Sequence, residues 1–342
     1  MVFLNIYGKT LEDLENYLES INEKRFHAKQ LFRWIYDKRI TSFDEITDMK
    51  KDVISKLKED FSMFKIKIVK IEKGKDVYKY LFELEDGEHI EAVLMLHDYG
   101  NSVCISSQVG CNMGCKFCES GRRKKVRNLE SYEMVEQILL IEEEFGKRIS
   151  HVVIMGIGEP FDNFDNLIRF IKIINSNFGL SIGARHITVS TCGIIPKIDE
   201  FSNLDIQINL AISLHGPNDL IRNKIMPINK VYPIDELIKS LKRYYKKTNR
   251  RLTIEYIMID NVNDMYECAV ELAKLLKDLN CYVNLIPYNE TKNIEFKRSK
   301  MIQINRFYDI LKKNGINVTI RREFGGSISA ACGQLRSKEE EV

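Results

Sequence analysis

The chain has 342 residues, 44% hydrophobic and 30% charged, and its 52 Lys and Arg against 49 Asp and Glu leave a net charge of +3. That length suits one large core with an accessory domain. No apolar run approaches the roughly 18 residues of a membrane span, which excludes a membrane-spanning chain, and the near balance of charge confines any nucleic-acid surface to a local patch.

In chain order, residues 1–64 read as a helical module. "TLEDLENYLESI" and "RFHAKQLFRWIYDKR" repeat apolar residues every three or four positions, and "SFDEITDMKKDVISKLKEDF" opens on a capping-type Ser42. The start, "MVFLNIYGKTLEDLENYLES", has no export signal. A cytoplasmic protein is therefore expected, with its eight cysteines as thiols, metal ligands or catalytic groups. From Lys65 the pattern alternates: "KIKIVKIEKG" and "VYKYLFELEDGEHIEAVLML" read as two strand-like runs joined at Asp86-Gly87, a linking β-hairpin over 65–98.

Over 99–338, strand-like and helix-like runs alternate. The strands are "SVCIS", "HVVIM", "HITVS", "INLAIS", "TIEYIMI", "YVNLI" and "NVTIR"; helices begin at Ser131, near Asn166, after Pro196, from Pro233, from Asp264 and near Ser299. Six βα units and a closing strand predict an α/β fold with parallel strands, as a partly open barrel or a doubly wound sheet. Residues 339–342 form an acidic tail.

Just past the first of these strands, "GCNMGCKFCESG" holds Cys111, Cys115 and Cys118. A structural zinc site closes a tetrahedron of four ligands, often as two C-x2-C pairs, and only one such pair is present. Three thiolates leave a position open, as in a [4Fe-4S] cluster whose fourth iron is free for a chelating substrate. Zinc with Cys104 as fourth ligand is the alternative. With Phe117 before the last cysteine, C-x3-C-x2-C resembles the motif of radical S-adenosylmethionine (SAM) enzymes, whose cluster passes an electron into SAM to give a 5′-deoxyadenosyl radical.

If the sheet closes, the residues after each strand face one cavity. Glycines in Gly156-Ile157-Gly158-Glu159-Pro160 let backbone approach a ligand, and Glu159 is placed to accept from the SAM amino group. The plain alternative is a tight turn with a solvated Glu. Ser190, Ser213, His215 and Asn289 offer groups suited to the ribose, carboxylate and adenine of SAM, although a lone histidine is more often structural. Cys332 lies among small residues in "EFGGSISAACGQL", where an inert buried thiol competes with a functional one. Arg122, Arg123, Lys124, Lys125 and Arg127 follow the cysteine loop, with Arg321 and Arg322 as an extension. They form either a solvated surface or a phosphate-binding patch.

Together these residues resemble the RlmN/Cfr family of RNA adenine methyltransferases from about residue 25 to 338. The stretches that carry the likeness are "CISSQVGC", "GCKFC", "VVIMGIGEPFDN", "GARHITVSTCGIIPKI", "AISLHGPND", "VNLIPYN", "VTIRRE" and "AACGQL". The resemblance implies a partial (β/α)6 radical-SAM barrel with a small helical, RNA-associated N-terminal domain. It assigns Cys111, Cys115 and Cys118 to the cluster and Gly158, Glu159, Ser190, Ser213, Leu214, His215 and Asn289 to SAM. It also makes Cys332 the methyl carrier, Cys104 its resolving partner and Glu91 a proton acceptor.

By the same resemblance, two SAM molecules serve each turnover. One methylates Cys332, and the other yields the radical that activates the S-methyl group for addition to an adenine carbon too poorly nucleophilic for polar transfer. Cys104 then releases the product by forming a transient disulfide. The implied substrates are 23S rRNA and tRNA, with an external electron donor such as flavodoxin or ferredoxin, and the chain is expected to be a monomer. Glu119-Ser120 replaces the usual Ala-Thr or Ala-Ser, and serines replace the aspartates usual before "AACG". Pro160 follows the C2-methylating branch rather than the C8-methylating resistance branch.

Overall fold

A computed structural model describes residues 4–291, 293–321, 330 and 333–335. The expectations for Cys332, Arg322 and the tail at 339–342 lie outside these residues.

The N-terminal module pairs strands β1 (Leu4–Asn5) and β2 (Phe61–Ser62) around helices α1 (Leu11–Ser20), α2 (His27–Tyr36) and α3 (Lys51–Asp60). A capping box starts α1: the Asp13 N–H donates to Thr10 Oγ1 at 3.1 Å and the Thr10 N–H to Asp13 Oδ2 at 2.8 Å. Ser42 caps only a short 3-10 turn, Phe43–Glu45, and α3 begins at Lys51 instead of continuing from it. Phe43 and Ile46 are drawn into the core and Asp48 accepts from Trp34 Nε1 at 2.6 Å, so this stretch lies against α2 rather than extending α3.

Residues 65–98 hold three strands rather than two: β3 (Lys67–Lys73), β4 (Val77–Glu83) and β5 (His89–His97). The second run splits at its Asp86-Gly87 turn, where Gly87 has φ +80°. These strands are antiparallel and continue directly into the barrel sheet, since β5 pairs antiparallel with β6 (Gly100–Ile105). A two-stranded ribbon of β7 (Gln108–Val109) and β8 (Arg127–Asn128) closes the cysteine loop, and α4 (Ser131–Phe145) follows.

The βα units then run β9 (His151–Ile154), α5 (Phe164–Asn175), β10 (Ile187–Thr191), α6 (Ile195–Phe201), β11 (Asn209–Ser213), α7 (Asp219–Ile225), α8 (Ile234–Thr248), β12 (Leu252–Met258), α9 (Tyr266–Leu276), β13 (Cys281–Pro287), α10 (Met301–Lys313) and β14 (Asn317–Ile320). Strand order in the ten-stranded sheet is β14-β13-β12-β11-β10-β9-β6-β5-β4-β3, and every pair from β6 to β14 is parallel. A doubly wound sheet reverses its strand order at a switch point. Here the order never reverses, so the crossovers wind in one sense and the sheet is a partial barrel with its helices outside. The short helix α7, capped by Asn218 accepting from the Ile221 N–H at 2.9 Å, was not expected from the sequence.

One hydrophobic cluster runs from Ile6, Leu14 and Phe32 of the module into Val135, Ile138 and Phe170 of the barrel helices. Helix α4 is the hub. Its buried Glu136 accepts from the Ile66 N–H at 2.7 Å, and its Ser131 Oγ donates to Gly8 O at 3.1 Å.

Candidate active site

The exit of β6 is anchored before the cysteines begin. The Ser106 N–H donates to Gln137 Oε1 at 2.9 Å, while Ser106 Oγ donates to Glu91 O at 2.6 Å and accepts from the Ile157 N–H at 3.0 Å. Asn163 Nδ2 ties Ser107 O and Leu129 O, at 2.9 and 2.7 Å, across the base of the loop. Inside it, Gly110 (φ +74°) is required twice over: its backbone is left-handed, and a Cβ there would lie 2.3 Å from Lys124 O.

Cys111, Cys115 and Cys118 all line one cavity on the rim at the C-terminal ends of the strands. Burial pushes the Cys111 thiol up to about 12 and raises Cys115 and Cys118 as well, the last opposed by N–H groups of Gly121 and Ser120. Three adjacent thiolates are therefore untenable in this pocket unless a cationic centre binds them. Three soft thiolate donors lining one cavity suit an iron–sulfur group.

The other rim loops converge on the same cavity. Gly158 (φ +108°) presses so near Gln108 that a Cβ would meet its side chain at 2.6 Å, and the Glu159 N–H donates to Gln108 Oε1 at 2.9 Å. The buried Glu159 carboxylate accepts from the N–H groups of Phe161 and Cys192 at 3.1 and 2.8 Å, and burial raises its pKa. Ser190 and Ser213 face each other, hydroxyls 3.4 Å apart. His215 (φ +57°) accepts from the Ile257 N–H at Nδ1, 3.1 Å away, and burial lowers its pKa to about 3. It is thus both structurally bound and a neutral cavity wall, presenting Nε2–H as a donor. Asn289 also lines the cavity. Leu214 does not: its side chain is in the main core, so only its backbone is near the site.

The antiparallel extension supplies the remaining wall. Strand alternation puts Glu91, Val93 and Met95 on one face of β5, Val93 and Met95 line the cavity, and Cys104 pairs opposite Val93. Lys79, opposite Val93 on β4, was overlooked in the sequence. Its Nζ lies 3.2 Å from Glu91 Oε1 and 3.4 Å from Glu72 Oε1. The alternation of "VYKYLFE" places Lys79 inward, but only cross-strand register shows what it meets. The described residues flanking Cys332, Ala330 and Gly333, line the cavity too, and residues 333–335 lie on the cysteine loop: the Glu119 N–H donates to Gly333 O and Ser120 Oγ to Leu335 O, both at 2.9 Å.

The basic stretch is largely paired within the molecule. Arg123 meets Glu88 at 2.5 Å, Lys125 meets Asp162 at 2.6 Å, and Arg127 bridges Asp86 and Glu133 at 2.6 and 2.7 Å. Arg122 Nη1 donates to Asn293 O at 2.8 Å; it and Lys124 are exposed. Arg321 lines the cavity, 3.9 Å from Glu255 Oε2.

A partial barrel with three cysteines on one rim loop and a glycine-lined cavity beside them is the architecture of a radical SAM enzyme, and residues 105–276 match the Radical SAM superfamily. Residues 4–63 match the ribosomal RNA large subunit methyltransferase N-terminal domain. Probable dual-specificity RNA methyltransferases RlmN from Spiroplasma citri and Caldanaerobacter subterraneus subsp. tengcongensis are 52% and 50% identical, covering 99% and 98% of both chains. The crystal structure of a radical SAM methyltransferase from Sphaerobacter thermophilus superposes with a TM-score of 0.91 at 41% identity, covering 98% of this chain and 100% of that one. The chain belongs to the RlmN family of radical SAM RNA methyltransferases. It is accordingly an enzyme that uses a [4Fe-4S] cluster and SAM, and no helix among its described residues is long and apolar enough to cross a membrane.

Proposed function

We propose that the chain methylates C2 of an adenosine in the peptidyl-transferase region of 23S rRNA and also acts on tRNA, through a methylated Cys332. The observation that carries this reading is the meeting of Cys104, the loop of three cysteines and the residues flanking Cys332 around one cavity, with Glu91 on the adjoining strand face. Bound together, the cluster and SAM supply a carbon-centred radical, the chemistry that an unreactive amidine-type carbon requires. Cys111, Cys115 and Cys118 hold the iron; Gly158, Glu159, Ser190, Ser213, His215 and Asn289, with the Leu214 backbone, hold SAM.

Cys332 accepts the methyl group as a nucleophilic thiolate. Glu91, oriented by the Lys79 ammonium at 3.2 Å, takes the proton lost when the adenine regains aromaticity. Cys104 attacks Cys332 to free the product, an external reductant resets the disulfide, and an external electron donor such as flavodoxin or ferredoxin would serve the cluster. We place the enzyme in the cytoplasm as a monomer, divided into a helical module at 1–64, the strand extension at 65–98 and the barrel at 99–338.

Arg122 and Lys124 are the exposed charges of the basic stretch and the first RNA contacts to consider; Arg123, Lys125 and Arg127 act by holding the loop. Incubation of anaerobically reconstituted enzyme with SAM, reductant and an rRNA fragment, followed by nucleoside mass analysis, tests the proposal. 2-methyladenosine is the expected product, and 8-methyladenosine alone would refute the regiochemistry.

A further inference from the structure

Arg222, on the unforeseen helix α7, heads the large side chains with no solvent exposure among the described residues. Its Nε donates to Leu214 O at 3.1 Å, Nη1 to Asn229 Oδ1 at 2.8 Å and Nη2 to Cys192 O at 2.5 Å. All three acceptors are neutral. Among the described residues Arg222 makes no ion pair, and the nearby Asp219 is already engaged, its Oδ1 accepting from Asn229 Nδ2 at 2.7 Å and the Ile234 N–H at 2.9 Å. A buried guanidinium stays protonated, and the Asp219 carboxylate reaches it through Asn229 rather than by direct contact, which leaves a charge that is costly to bury. A second negative charge nearby would balance it further.

The surroundings identify the balancing charge. Helix α7 abuts the cysteine loop: the Lys116 N–H donates to Ile225 O at 2.9 Å, and Ile225 and Met226 share an apolar cluster with Phe117, Cys115 and Cys118. Cys192, whose carbonyl accepts from the guanidinium, and His215, next to the acceptor Leu214, line the same cavity. A [4Fe-4S]²⁺ core held by three thiolates carries one net negative charge, and reduction adds another.

We infer that Arg222 is a positioning residue for the cluster's charge, a permanently buried cation on the helix packed against the cysteine loop that balances the cluster and raises its reduction potential. It is fully buried and does not line the cavity, so it acts through the field. Cluster potentials follow net charge, hydrogen bonding and burial. Because the reduced cluster is the more negative form, a nearby cation stabilises it, and removing that cation makes one-electron reduction harder.

The test is a redox titration, followed by electron paramagnetic resonance, of the anaerobically reconstituted full chain without RNA or SAM, so methyl transfer does not enter the readout. Arg222→Gln keeps donors for the carbonyls but loses the charge, whereas Arg222→Lys keeps the charge and loses the fork. With both loaded, Arg222→Gln is expected to show at least a tenfold lower reduced-to-oxidised ratio at fixed potential, about 59 mV more negative for a one-electron couple. Arg222→Lys should stay within threefold of the parent. A fully loaded Arg222→Gln with the parent midpoint overturns the inference. If Arg222→Gln takes up no iron, iron uptake by Arg222→Lys decides: parent-level uptake upholds the charge role. Loss in both variants assigns Arg222 to hydrogen bonding alone and overturns it.

Discussion

Cys104 stands seven positions before the iron-binding loop, yet its proposed role is separate and has its own experimental signature. Cys104 is partly exposed on the cavity face of β6, directly opposite Val93, and its proposed partner, Cys332, lies more than 200 positions away in the chain. In Cys104→Ala the methyl carrier still functions but nothing releases it, so a single turnover should leave RNA covalently attached to protein, visible as a slow band in denaturing gels. Absence of that adduct in a variant that binds iron normally would remove Cys104 from the resolving role. Buried thiols elsewhere behave differently: burial raises Cys192, Cys268 and Cys281, the last two to about 11, which leaves them protonated and inert at neutral pH.

Among elements, the cysteine loop is held by backbone conformation more than by side chains. β7 and β8 pinch its base, the Cys111 N–H donates to Arg123 O at 2.9 Å, and the ion pairs of Arg123 and Arg127 fasten it to the β4–β5 turn. Gly110 permits the crossing. In Gly110→Ala a left-handed non-glycine residue costs roughly 1–2 kcal/mol, and the added methyl meets Lys124 O besides. The expected outcome is iron per chain falling to less than half after reconstitution, with far-UV circular dichroism unchanged; full iron loading would show that the loop can shift. These pairings also explain why a run of five positive side chains is not a uniform RNA surface: most of its charge stabilises the loop that presents the cluster.

At the scale of the molecule, the N-terminal module and the barrel share one core through α4 and α5, with Asp13–Arg169 at 3.1 Å and Gly8 against Ser131 at the seam. One cooperative unfolding transition is expected, not two. A Cβ at Gly8 would sit 2.9 Å from Ser131 Oγ, so Gly8→Val should destabilise the whole chain by about 1–3 kcal/mol, the usual range for overpacking. A calorimetric trace in which only a small early transition moves would show an independently folding module.

The βα alternation, the helical start and the cysteine spacing were all legible in the residues, because each depends on a short period or on contacts between near neighbours. The cavity residues Glu159, Ser190, Ser213, His215 and Asn289 could be named because parallel strands deliver their ends to one rim. The meeting of Lys79 with Glu91, the third strand of the extension, the internal pairing of the basic stretch and the charge of Arg222 on the helix packed against the cysteine loop could not. Strand register, loop closure and burial join residues tens to hundreds of positions apart, and a side chain's electrostatic role is set by those neighbours rather than by its own place in the chain.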